Sequence, residues 1–237
     1  MPPLLLGIIA KTKASFAGRL GPPLLQPYHD ILKLFRKGMV ISKTTTWVFR
    51  AGPVVGLATA LLAAMLVPLG RHPAPISFPG DMILFAYLLA LGRFFTASAA
   101  LDTGSPFEGM GAAREVTFAC LAEPALFFGF IVLAKLSGSL SLSGMLGGGV
   151  LSDWGSAAGS LMLVVASWFI VLLAENCRIP FDDPNTHLEL TMIHEVMVLD
   201  HSGPAFGMIL YGAAVKLFAT GALLAGVAFP LSEGNEW

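Results

Sequence analysis

Glu175-Asn176-Cys177-Arg178-Ile179-Pro180-Phe181-Asp182-Asp183-Pro184-Asn185-Thr186-His187-Leu188-Glu189-Leu190-Thr191-Met192-Ile193-His194-Glu195-Val196-Met197-Val198-Leu199-Asp200-His201-Ser202-Gly203-Pro204 packs six carboxylates and three histidines into one run. Long apolar segments flank it on both sides. It therefore reads as a polar loop joining two membrane helices, and its crowding of titratable groups is more than a connection needs.

Composition agrees. The 237 residues are 55% hydrophobic and 12% charged, with a mean hydropathy of +0.76. Soluble domains carry about 25% charged residues, so an ordinary globular protein is excluded and no nucleic-acid partner is expected. The net charge of -1 hides an asymmetry. Lys11, Lys13, Arg19, Lys33, Arg36, Lys37, Lys43 and Arg50 fall within residues 1–50, opposed there only by Asp30. The start has neither the basic region nor the cleavage site of a secretory signal. Cys120 and Cys177 are the only cysteines, and an iron–sulfur cluster takes about four thiolates. No such cluster is expected in this chain. Cys120 reads as a small core residue.

Outward from the loop, five segments are long enough to cross a bilayer, which takes about 20 apolar residues. They are Gly52–Leu69, Asp81–Leu101, Ala112–Leu136, Ala157–Glu175 and Ala205–Phe229. Met1–Ala10 is too short to cross and reads as a partial N-terminal span or an interfacial piece. After the break at Gly21-Pro22-Pro23, Tyr28, Ile31, Leu32 and Phe35 recur at helical spacing, with Lys33, Arg36 and Lys37 on the other face. That pattern predicts an amphipathic helix, either in the membrane interface or packed on neighbouring spans. The fold expected is an all-α polytopic membrane bundle: one domain over 1–237, with a basic loop at 11–50 and an acidic loop at 176–204. Basic loops stay in the cytoplasm. Alternation of the spans then places Leu101–Gly111 and the acidic loop on that same face, with Arg71–Pro79, Ser137–Ser156 and the C-terminal tail opposite.

Four charges fall inside spans. Arg93 is mid-span, Glu115 and Glu123 share the next span, and Lys216 lies in the last. A charge at a helix centre costs about 2.5–3.5 kcal/mol on insertion scales, so these face the bundle interior and pair, or serve a function. Glu115 and Glu123 lie roughly 80° apart around a helix, so both can face one interior. Pro124 frees a backbone carbonyl one turn earlier. Two readings follow: a buried proton track running past Glu123 toward Arg93 or Lys216, and a set of structural ion pairs.

In the acidic loop, Asn185 or Thr186 is placed to cap a helix running to about Leu199. His187 and His194 are seven residues apart, about 10.5 Å along a helix, and too far apart to chelate one metal. No metal site is expected. Histidines among carboxylates suit proton relay, and a subunit contact is the other reading.

The run Ala-Glu-Asn-Cys-Arg-Ile-Pro-Phe-Asp-Asp-Pro-Asn-Thr-His-Leu-Glu-Leu resembles the signature loop of respiratory complex I subunit 1. Glu175, Arg178, Pro180, Phe181, Asp182 and Glu189 match it residue by residue, and Glu123 falls where that family carries a span glutamate. The continuation through His194-Glu195 to Asp200-His201, with Gly21–Tyr28, resembles the hydrogenase branch: membrane subunits of formate hydrogenlyase, CO-linked and other energy-converting NiFe hydrogenases. The resemblance implies a non-catalytic membrane anchor and ion-translocation subunit, moving H⁺ or Na⁺, in the inner (cytoplasmic) membrane. NiFe and iron–sulfur clusters would sit in partner subunits, namely the hydrogenase large subunit and the small iron–sulfur subunit. Other ion-translocating membrane subunits would lie alongside.

Proton-relay candidates are Glu115, Glu123, Glu175, Asp182, Asp183, Glu189, His194, Glu195, Arg93 and Lys216. Docking candidates are Arg178, Pro180, Phe181, His187, Asp200 and His201. Asp183 and Pro184 stand where complex I carries Leu-Pro, and His187 interrupts its acidic run, which counts against the alternative of a quinone-chamber subunit of a complex I-like dehydrogenase. An independent transporter is disfavoured by the absence of internal repeats. The chain carries fewer spans than the family usually does, through natural shortness or a shortened gene model.

Overall fold

The computed structural model describes residues 1–70, 72–147, 149–182 and 192–229. They form helices α1 (Pro2–Phe16), α2 (Gln26–Phe35), α3 (Trp47–Leu66), α4 (Asp81–Asp102), α5 (Pro106–Ser137), α6 (Leu142–Met145), α7 (Gly149–Glu175), α8 (His194–Met197) and α9 (Gly203–Ala228). Five stretches are long and apolar enough to cross a membrane: α3, α4, α5, Ala157–Glu175 of α7, and α9. The multi-pass all-α reading therefore stands. α7 bends at Ala157, where the backbone leaves helical angles, and the apolar span begins there. α1, at 15 residues, covers about 22 Å at 1.5 Å per residue, short of a bilayer.

Local chemistry sets the helix ends. Thr46 caps α3 by accepting from the Val48 N–H at 3.3 Å, while its own N–H and hydroxyl donate to Asp102 at 2.6 and 2.9 Å. The start of α3 is thus fixed by the end of α4, five residues earlier than apolar composition suggests. α5 starts at Pro106, not Ala112. Proline at the first helical position costs no hydrogen bond, and Glu108, which reads as a loop charge, is fully buried with Oε1 accepting the Asp200 N–H at 3.1 Å.

Lipid tails are as apolar as leucine, so close packing holds membrane helices together. A large core lies toward one end of the bundle, where Phe85, Phe130, Leu142, Met145, Leu161 and Trp168 are buried. Gly129 makes the α5–α7 contact possible, since a Cβ there would overlap the Trp168 indole, whose N–H reaches the Leu126 carbonyl at 3.3 Å. Asp81 closes the same end: it is buried and accepts the Leu142 N–H at 2.7 Å. A smaller core of Ala97, Ala100, Ala112, Ile193, Met197 and Val198 lies at the other end.

The basic segment and the acidic loop meet at that second end. Val40 N–H donates to the Ser202 hydroxyl at 3.2 Å. Gly203, at φ 54°, lies against the Gly38 carbonyl with no room for a Cβ. α2 packs on α1 and α9. Its packed stripe is Tyr28, Ile31 and Leu34, with one edge of the Phe35 ring beside Leu34 over Gly207 of α9. Leu32, and the rest of the Phe35 ring, are exposed beside Lys33, Arg36 and Lys37.

Two expectations need correction. Cys120 is not a core residue: it lies exposed on the outer face of α5. The helix expected from Asn185 or Thr186 to Leu199 is interrupted, since Met192 and Ile193 are non-helical and, among its described residues, only His194–Met197 is helical. Ile193 is drawn into the smaller core at 2% exposure. The start of that turn is capped by Asp182, whose Oδ2 accepts the His194 N–H at 3.0 Å. Asp183, His187, Glu189 and the C-terminal tail lie outside the described residues.

Candidate functional site

Between the two cores the span charges converge. Arg93 on α4 is the hub, with only 7% of its side chain exposed. Its Nη2 donates to Glu175 Oε1 at 2.6 Å, and its Nη1 donates to Glu123 Oε1 at 2.8 Å. Its Nε faces Glu115 Oε1 at 3.7 Å, too far for a hydrogen bond. Lys216 on α9 reaches the other Glu175 oxygen at 3.2 Å. The four span charges and Glu175 thus form one contiguous cluster of ion pairs.

The charge count is uneven. Two cations face three carboxylates, which leaves one negative charge without a full partner. Glu115 is the least satisfied: beyond the distant Arg93, it accepts only the Cys177 thiol at 3.3 Å among the described residues. A buried carboxylate short of a cation is where a proton is most readily taken up and released. Removing one member of a buried pair costs about 3–5 kcal/mol, so these contacts also hold the helices together.

A cavity of about 110 Å³ adjoins the cluster on the acidic-loop side, lined among others by Thr59, Arg93, Glu115, Glu175, Cys177 and His194. That volume suffices for several waters. Buried polar atoms without a hydrogen-bond partner gather in and next to it: Arg93 Nε, Asn176 Oδ1, Asp182 Oδ1 and His194 Nε2. Beyond Glu175 in the opposite direction the lining turns apolar, through Phe85, Leu126, Trp168 and Leu223, with Thr220 the only hydroxyl. Glu123 is different again. Its side chain is 40% exposed on the outer side of α5, so the cluster touches the flank of the subunit.

The loop residues divide. Asp182 is buried at 4% exposure, and Phe181 packs edge-on against Phe118 at 5.2 Å. Glu195, Asp200 and Pro180 are exposed, and Arg178 is half-buried. Burial, aided by the Lys216 and Arg178 charges, pushes His194 down to about 4, so its imidazole is neutral at neutral pH. His201 stacks on Phe49 with ring centroids 4.0 Å apart. Burial pushes it down to about 4 as well, partly opposed by Asp200.

His201 has a measurable consequence. The folded protein takes up its proton only near pH 4, whereas the unfolded chain does so near 6.5. Its contribution to stability is therefore complete above pH 6.5 and is lost as pH falls from 6.5 toward 4. His201→Phe keeps the stack and removes the titration. Between pH 7 and 4.5 it should lose less stability than the parent, by on the order of 2 kcal/mol, as read from thermal unfolding in detergent. Parallel losses in both proteins would refute this.

Sequence reading found all five charged members of the cluster but missed Cys177, Asn176 and Glu108. Asn176 bridges the Leu172 carbonyl and the Thr220 hydroxyl at 2.8 and 3.0 Å. The signal for Cys177 lay in its position two residues past the end of a span, where glycine is usual.

Similarity to known proteins accords with this geometry. A family model described as NADH dehydrogenase matches residues 1–230. Hydrogenase-4 component C of Escherichia coli (strain K12) is 34% identical over 236 residues, covering 100% of this chain and 73% of the relative. Formate hydrogenlyase subunit 4 of the same organism is 34% identical over 232 residues, covering 98% and 74%. Among solved structures, a chain of the membrane-bound sulfane sulfur reductase, an archaeal respiratory membrane complex, superposes with a TM-score of 0.75 at 26% identity. That match covers 95% of this chain and 73% of the other.

Proposed function

This chain belongs to the NADH dehydrogenase subunit 1 family, and from that premise we propose that it is a membrane subunit of a complex I-like hydrogenase that docks the soluble NiFe arm and passes protons from the junction into the membrane. The observation that carries the proposal is the Arg93 cluster: three carboxylates around two cations, buried between two cores and adjoined on the acidic-loop side by a cavity into which Arg93, Glu115, Glu175 and Cys177 face.

The relay has an entry, a hub and an exit. Protons enter beside Asp182 and Cys177, reach Glu115 and the Arg93–Glu175 pair through the cavity, and leave sideways through the half-exposed Glu123 to a neighbouring membrane subunit. The apolar core around Phe85, Phe130 and Trp168 bars direct passage to the far side. By the positive-inside rule the face shared by α2 and the acidic loop is cytoplasmic. The exposed Glu195, Asp200 and Pro180 lie there for the arm to grip.

The test is gentle purification of the assembled complex. Nickel, iron and hydrogenase large and small subunits should co-purify with this chain, and quinone-site ligands should leave hydrogen evolution unaffected. A nickel-free assembly inhibited by quinone-site ligands would instead favour the quinone-chamber reading.

A further inference from the structure

Cys177 occupies a position where its identity is a cost. Its φ of 46° lies in the left-handed region, the one non-glycine case among the described residues. Its N–H bonds to the Ala174 carbonyl at 3.1 Å, and the next N–H, of Arg178, reaches back to the Leu173 carbonyl at 2.9 Å. Together these bonds form the Schellman closure of α7, whose left-handed residue is usually glycine because a Cβ there is disfavoured. Cysteine at this position calls for a reason in its side chain.

That side chain is aimed at the cluster. Sγ lies 3.3 Å from Glu115 Oε2, the only hydrogen bond to that carboxylate among the described residues. Burial, reinforced by the nearby Glu115 charge, pushes the thiol up from its ordinary value, so it remains S–H and remains a donor. A second observation points to the same carboxylate: Nε of the buried Arg93 has no hydrogen-bond partner and faces Glu115 Oε1. Glu115 is thus held by one direct donor and by cations at a distance. The other charged or titratable groups around it are Glu123 on its own helix, Glu175 at the end of α7, Lys216 on α9, His194 on α8, and Arg178 and Asp182 in the following turn.

Resting on the relay reading above, we infer that Cys177 is a positioning residue whose thiol holds Glu115 as a hydrogen-bond acceptor and favours its ionised form, setting the pH at which this carboxylate takes and yields its proton. The residue transfers no proton itself. It acts through Glu115, and a hydroxyl can replace it where a methyl or a hydrogen cannot.

The experiment uses the purified assembled complex and reads the infrared band of protonated Glu115, identified by its loss in Glu115→Gln. Cys177→Ala and Cys177→Gly both remove the donor, but only glycine relieves the backbone. Both should raise the titration midpoint by about one pH unit, a tenfold change in proton affinity, although Cys177→Gly should be the more thermally stable of the two. Cys177→Ser should titrate at or below the parental midpoint. Midpoints that stay put in both donor-less variants, or that follow thermal stability instead, would overturn the inference alone. A parent protein with no titrating Glu115 band would overturn the relay reading and this inference together.

Discussion

Replacing Arg93 by methionine should destabilise the assembled complex by about 3–5 kcal/mol, the cost of leaving buried charges without their partner. The side chain that replaces it fills similar space, so the loss is electrostatic. Glu123 and Glu175 lose hydrogen bonds of 2.8 and 2.6 Å, and Glu115 loses its nearest cation. Lys216 alone then faces three carboxylates, and it reaches only Glu175. Arg93→Lys should recover only part of the loss, since one ammonium group cannot span carboxylates from α5 and α7 as the forked guanidinium does. The double variant Arg93→Met/Glu123→Gln should be more stable than the sum of the single changes predicts, because the two share an interaction. Thermal unfolding of the purified complex measures all four. Strict additivity would show that the Arg93–Glu123 pair contributes nothing.

How much of this the sequence discloses depends on the range of the interaction. The spans are legible because apolar length is a local property: Asp81 and Ala157 begin spans where composition suggests. The true starts of α3 and α5 are not, since they depend on Asp102 accepting from Thr46 and on Asp200 donating to Glu108 across the fold. Charges within apolar runs announce themselves, so Arg93, Glu115, Glu123 and Lys216 stand out. Their pairing does not, because it depends on helix packing. Here small residues decide, such as Gly129 admitting the Trp168 indole.

His201 shows the reverse case. As a histidine in a polar loop it reads as a surface group, yet Phe49, from the other end of the chain, stacks on it and buries it. Cys177 reads as neutral and unremarkable beside its charged neighbours. Only its left-handed backbone and the 3.3 Å contact with Glu115 mark it. The acidic loop itself is legible as a family signature. Its described part adds that Asp182 turns inward to cap α8 while Glu195 and Asp200 stay outside, a division no spacing rule reveals.

The second large effect concerns coupling. Glu123 has the most exposed side chain of the three cluster carboxylates and lies beside Pro124 on the outer side of α5. Glu123→Gln preserves its shape and lets the amide oxygen accept from Arg93, but the residue can no longer carry a proton. The cluster also changes from net negative to neutral, so its spare capacity for a proton disappears. The arm should remain docked, because the exposed loop residues are untouched. Hydrogen evolution driven by an artificial electron donor should therefore continue, with nickel retained.

What should fail is the link between that chemistry and the membrane. The decisive measurement is the proton gradient formed per hydrogen released in sealed inverted vesicles carrying the Glu123→Gln complex. A one-sided relay with its exit at Glu123 predicts a gradient near zero while hydrogen release continues. A gradient per hydrogen equal to that of the parent complex would contradict it and leave the Arg93 cluster as a structural ion pair alone.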